Sequence, residues 1–175
     1  MPNAAPAPTP SSKLAPALVG PPPRPPLRAL LLTFGGCTLA IGLSALVATS
    51  LATTLLMGSF GATCALVFGY PDVPFSQPRH VVLGHLFCVL VGLAALHGLG
   101  DAPWALALAV GTSAAGMMAL RIMHPPAASN PLIVFLGKAA WSFALFPALA
   151  GAVLIVAAAL VWNNGVRRTP YPSYW

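Results

Sequence analysis

The residues able to do chemistry in this chain are few and fall in two groups. Arg121, His124, Pro125, Pro126, Ser129, Asn130 and Lys138 surround the stretch MHPPAASNPLIVF; Arg79, His80 and His85 form the second group, with Thr63 in the apolar text before it. Cations beside hydroxyl and amide groups suit a small anion, and an imidazole with an unperturbed pKa of about 6.5 can take up a proton as the anion arrives. Other chemistries find little here. The only acids are Asp72 and Asp101, and no nucleophile–base pair is legible, so no enzyme is expected. The four histidines show no HxxxH spacing, and Cys37, Cys64 and Cys88 show no CxxC, so neither a metal nor another cofactor is expected. The cysteines read as small packing residues.

The solvent around these residues follows from composition. The 175 residues are 58% hydrophobic and 6% charged, against roughly 25% charged in soluble domains. The net charge of +6 comes from eight Lys/Arg placed singly or in pairs at the ends of apolar runs. That is the distribution of a membrane protein in contact with the bilayer, not of a nucleic-acid binder. Residues 1–26 hold ten of the twenty prolines and read as a disordered Pro-rich cytoplasmic tail. No apolar h-region follows a charged start there, so a signal peptide is not expected. Residues 27–165 form the transmembrane domain, and 166–175 a basic, aromatic tail. Apolar runs at 29–51, 81–99, 104–123 and 141–162 each suit one span of roughly 20 residues.

Two inserts remain, 53–69 and 124–137. His124 precedes a proline and is pushed out of the helical region, so the third helix is expected to end near Met123, with Arg121 one turn before His124 on that helix. Pro125 or Pro126 then starts a short half-helix. The expected fold class is an all-α membrane protein with four transmembrane helices and two short re-entrant or broken inserts. A shift of 66 residues lays MGSFGATCALV on MHPPAASNPLI, matching Met57, Ala62 and Leu66 with Met123, Ala128 and Leu132, so a two-fold internal repeat is expected. Full crossing by both inserts would give six spans in inverted halves. An engineered cysteine at Asp72 separates the two, being outside for four spans and inside for six.

Small residues recur at steps of four: Gly36, Ala40, Ser44, Ala48 and Ala52; Gly84, Cys88 and Gly92; Ala107, Gly111, Ala115 and Ala119; Ala144, Ala148 and Ala152. Such stripes let helices approach closely in lipid, and one bundle cannot use them all internally, so a homo-oligomer is expected. Lys13, Arg24 and Arg28 before the first helix and Arg167 and Arg168 after the fourth put both termini in the cytoplasm. In the four-span arrangement Arg79, Arg121 and Lys138 fall outside beside the inserts, and His97 and Asp101 at a cytoplasmic turn.

RIMHPPAASNPLIVF resembles the signature of the HPP family, small integral membrane proteins named for His-Pro-Pro, and FGATCALVFGYPDVPFSQPRHVVLGH resembles the family's other recurring stretch. The resemblance covers about residues 27–175, and YPSYW resembles the ending of bacterial members. It implies four transmembrane helices and, from plant chloroplast and cyanobacterial members, transport of nitrite. Ala127-Ala128-Ser129 stands where many members have Ala-Gly-Ala, a departure that bears on selectivity. The function expected is a transporter or channel for a small inorganic anion, nitrite foremost, in a bacterial inner membrane. The alternative is a non-transporting membrane subunit that packs against a partner.

Overall fold

The computed structural model describes residues 23–50 and 56–175. Most of the expected N-terminal tail, and residues 53–55 of the first insert, lie outside the described residues. Every regular element among those described is helical: α1 (Leu27–Ser50), α2 (Gly58–Gly69), α3 (Pro78–Leu99), α4 (Pro103–Ala119), α5 (Asn130–Leu136) and α6 (Ala150–Val161). Short 3-10 turns occupy Pro74–Ser76, Pro125–Ser129 and Trp141–Ala144, and π turns flank α6, making Trp141–Arg167 one helical passage with a kink at Phe146. Prolines open α3 and α4 at the first-turn position they suit. Gly100, at φ +86°, stops α3 and starts the turn into α4.

The helices α1 and α3 and the passage Trp141–Arg167 are long and apolar enough to cross a membrane; α2 and α4 are shorter apolar helices. The exterior confirms the solvent. Leu27, Phe34, Met118 and Val161 are each about two-thirds exposed or more, whereas the interior holds Phe60, Phe68, Leu93 and Ile155 together with several polar side chains. A surface that is apolar on all sides is matched to lipid, not water.

Hydrogen bonds fix which elements share an end of the bundle. Trp162 Nε1 donates to Leu32 O at 3.1 Å and Thr33 Oγ1 to Phe68 O at 3.2 Å. Tyr171 donates its hydroxyl to Ser76 O at 2.7 Å, and Ser173 N donates to Gln77 Oε1 at 2.8 Å. The start of α1, the end of α2, the start of α3 and the C-terminal tail therefore lie together, at what we term the terminal end. Burial pushes the Tyr171 phenol pKa up, so it stays a donor across the physiological range. At the far end His97 Nε2 donates to Ala139 O at 3.0 Å, His97 stacks on Trp141, and Lys138 pairs with Asp101.

These placements correct three expectations. Neither insert returns to the side it left. The first leaves Ser50 at the far end and finishes at Gly69 at the terminal end. The second runs from Met123, whose carbonyl accepts from His80 at the terminal end, to Ala139 at the far end. The physical reason is rise: in the second insert five 3-10 residues at about 2.0 Å each and seven α-helical residues at about 1.5 Å each together advance roughly 20 Å. Second, Arg79, His80 and Arg121 lie with the start of α1 and the C-terminal tail, while Lys138 lies at the opposite end with His97 and Asp101. Third, α4 ends at Ala119, and Arg121 adopts a left-handed φ of +55°, so Arg121 and His124 do not share a helix.

Stripes on three elements are used internally. Gly36, Ala40 and Ser44 face inward on α1, as do Ala144, Ala148 and Ala152 along the last passage. On α3, a Cβ at Gly84 would lie 2.9 Å from His124 Cβ, and one at Gly92 would lie 2.9 Å from Pro131 Cα. Only glycine lets the second insert lie this close to α3. On α4, Ala107, Gly111, Ala115 and Ala119 are exposed.

Candidate functional site

The two inserts cross antiparallel inside the bundle, and their polar side chains meet there. Ser59 and Thr63, one turn apart on α2, face Asn130 and His124 of the second insert, and His85 from α3 lies between. Thr63, His85, His124 and Asn130 have no solvent exposure, and Ser59 has 4%. Phe60 packs its ring edge against His85, and the two imidazoles lie 5.0 Å apart at their centroids.

Carbonyl oxygens set the direction of the hydrogen bonds. His124 Nδ1 lies 2.7 Å from Phe75 O and must donate, so the neutral ring accepts at Nε2. Asn130 Nδ2 donates to His85 O at 3.2 Å, which fixes the amide orientation, and also donates to His85 Nδ1 at 2.9 Å. Neutral His85 therefore carries its proton on Nε2 and donates to Thr63 Oγ1 at 2.8 Å. Thr63 passes its own proton toward His124 Nε2 at 3.0 Å, with Ser59 O at 3.1 Å as the competing acceptor. Ser59 completes the chain by donating to Asn130 Oδ1 at 2.8 Å. The order Ser59, Asn130, His85, Thr63, His124, Phe75 O runs one way, and each link has a donor and an acceptor with both rings neutral. Such a chain holds both rings neutral, and its Ser59 and Asn130 ends can release donors to an entering acceptor.

One side of the crossing is open. A cleft of about 480 Å³ is lined by Gly58, Ser59, Ala62, Pro125, Pro126 and Ser129. Its wall is small residues, proline rings and the Leu66 side chain, and Ser59 is its link to the buried chain. Ser129 bonds back to Pro126 O at 2.8 Å and steadies the turn, not the chain of imidazoles. Pro126 is buried and Pro125 faces the cleft.

Of the residues expected from sequence, Thr63, His85, His124 and Asn130 come together at one centre, and Pro125, Pro126 and Ser129 shape its edge. Arg79, His80 and Arg121 gather elsewhere, around a second cleft of about 400 Å³ at the terminal end. Lys138 belongs to neither. Ser59 was missed; its signal was its place four residues before Thr63, on the same face of a helix.

A helical bundle with an apolar exterior, membrane-length helices and a buried polar centre is an integral membrane protein. The HPP transmembrane-region family model matches residues 22–172, so the chain belongs to the HPP family. Two transmembrane proteins of Dictyostelium discoideum are similar to it. One is 36% identical over 129 residues, covering 69% of this chain and 45% of the relative; the other is 34% identical over 131 residues, covering 70% and 42%. The chain thus spans less than half the length of these curated relatives. No solved structure matches it.

Proposed function

We propose that the chain is a transporter or channel for a small inorganic anion, with nitrite the foremost substrate, and that the solute passes where the two inserts cross. The observation that carries the reading is the Ser59–Asn130–His85–Thr63–His124 chain, five polar side chains inside a lipid-matched bundle. Polar groups at membrane depth are costly and mark solute or proton paths. Interrupted segments at matching positions of two repeats point the same way. An anion in the cleft meets the Ser59 hydroxyl first and the Asn130 amide behind it. As it takes these donors, the imidazoles lose their neutral pairing and are positioned to take up the proton that travels with the anion. The reading is non-enzymatic.

The bundle is read as six crossings, α1, the first insert with α2, α3, α4, the second insert with α5, and the last passage, in two inverted halves of three. α4 has 17 residues, roughly 25 Å at 1.5 Å per residue, close to the bilayer core. Arg28, Arg79, Arg121, Arg167 and Arg168 share the terminal end, while the far end offers Lys138 already paired with Asp101. The positive-inside rule makes the terminal end cytoplasmic, in a bacterial inner membrane. The open α4 stripe is read as a contact with a second copy of the chain.

Flux into sealed liposomes tests the transport reading. Nitrite, nitrate, formate and chloride are offered to reconstituted protein, with nitrite expected to enter fastest and well above protein-free vesicles. Absence of flux for all four, with protein correctly inserted, would give the chain over to the non-transporting subunit reading, for which the exposed α4 stripe would be the docking face.

A further inference from the structure

The arginines at the terminal end serve a different ligand from the buried centre. Arg79, in the first turn of α3, and Arg121, swung by its left-handed backbone at the end of α4, line one cleft with His80, Met123, Tyr174 and Trp175. Both arginines are exposed, and the ion pair found among the described residues, Lys138 with Asp101, is at the far end. Asp72, the chain's other acid, does not line the cleft. His80 is committed on both sides: Nδ1 donates to Met123 O at 2.9 Å, and Nε2 accepts from the Tyr174 hydroxyl at 3.1 Å. The cleft is therefore a wall carrying two guanidinium groups that form no ion pair among the described residues, the carboxylate of Trp175 included.

Two apolar grooves leave this cleft along the bundle, and Arg79 stands at the head of both. One, about 600 Å³, lies between α3 and α6, walled by Val82, Leu83, Val153 and Leu160 and capped by Trp175. The other, about 300 Å³, lies between α3 and α4, walled by Leu83, Leu86, Phe87, Leu90 and Ile122. Leu83 is the ridge between them. A paired cationic head site with two parallel apolar grooves fits one class of molecule in a membrane, a two-chain lipid with an anionic phosphate. We propose that the Arg79–Arg121 cleft binds an anionic glycerophospholipid, its phosphate between the guanidiniums and one acyl chain in each groove. Basic pockets between helices on the cytoplasmic side recognise lipid headgroups in this way, and guanidinium pairs with phosphate oxygens in a fixed fork. Trp175 sits at the interfacial level that tryptophan favours. The inference rests on the membrane location of the chain and is independent of whether it transports an anion.

Native mass spectrometry of the full chain in mild detergent tests this with three probes: phosphatidylglycerol, phosphatidylethanolamine of the same acyl chains, and soluble glycerol phosphate. Wild type is expected to retain phosphatidylglycerol at least about tenfold better than phosphatidylethanolamine, the scale of two interfacial arginines, while excess glycerol phosphate does not displace it. Arg79→Gln with Arg121→Gln should bring the preference to within about twofold, and Arg28→Gln with Arg168→Gln should leave it intact. Leu83→Trp, which fills the grooves from an exposed position without changing charge, should weaken retention of both lipids. Equal retention of the two lipids by wild type, or displacement by glycerol phosphate at matching concentration, would overturn the proposal. So would an undiminished preference in the double arginine variant. The wild-type comparisons decide even if a variant fails to fold.

Discussion

Thr63 is the joint of the buried chain, because its single hydroxyl accepts from His85 and offers its proton toward His124. Thr63→Val keeps the shape and removes both bonds, leaving a buried imidazole N–H and a ring nitrogen without partners. We expect a loss of about 1–3 kcal/mol in stability, the scale of an unsatisfied buried polar group, read as lowered thermal unfolding in detergent. Nitrite flux per inserted protein should fall by about tenfold, the scale of 1.4 kcal/mol on the barrier. Ser59→Ala spares the imidazole links but removes the donor that faces the cleft and leaves buried Asn130 Oδ1 without its partner, so flux should fall with a stability loss of about 1–3 kcal/mol. A flux unaffected by either change would remove the crossing from the solute path.

Glycines sort the elements by what they face. Gly92 on α3 supports the second insert, and a Cβ there meets Pro131 Cα at 2.9 Å, a backbone atom that cannot swing aside. Gly92→Ala should therefore destabilise the bundle by about 1–3 kcal/mol, the range for overpacking, with unfolding in detergent as the readout. Gly111 on α4 has nothing within 4 Å of its would-be Cβ. Gly111→Leu should leave the protomer's unfolding unchanged but block the approach of a second α4, since close packing in lipid needs small residues. Light scattering in mild detergent should then show the mass of the wild-type oligomer reduced to a single chain. A wild type that is monomeric at every concentration would remove this role for the stripe.

At the scale of the whole molecule the path of the chain decides sidedness. Asp72 lies in the turn beside α2's end and α3's start, at the end that holds the start of α1 and the C-terminal tail, while Asp101 lies at the far end. In a background without Cys37, Cys64 and Cys88, Asp72→Cys should be shielded from an impermeant thiol reagent in intact cells and labelled only once the membrane is opened. Asp101→Cys should be labelled from outside. The reverse pattern would invert the orientation, and labelling of both from one side would defeat the six-crossing path.

The sequence by itself determined the solvent and the helical class, because composition and the length of apolar runs act locally and leave no alternative medium for such a surface; the family was legible only through the resemblance of its His-Pro-Pro and neighbouring stretches. It also supplied most of the centre, since Thr63, His85, His124 and Asn130 are conspicuous polar residues in apolar text. Helical rise alone left the direction of the inserts undecided, and with it the end of the bundle at which Arg79 and Lys138 lie. Only the tertiary structure decided that, through contacts such as Tyr171 with Ser76 and His97 with Ala139, which join residues far apart in the chain. The same holds for the division of labour among the cations. Arg121 looked like a neighbour of His124 because it is three residues away, but the backbone turns between them. Its guanidinium joins Arg79 from another helix at the cleft, while the histidine turns inward to Thr63.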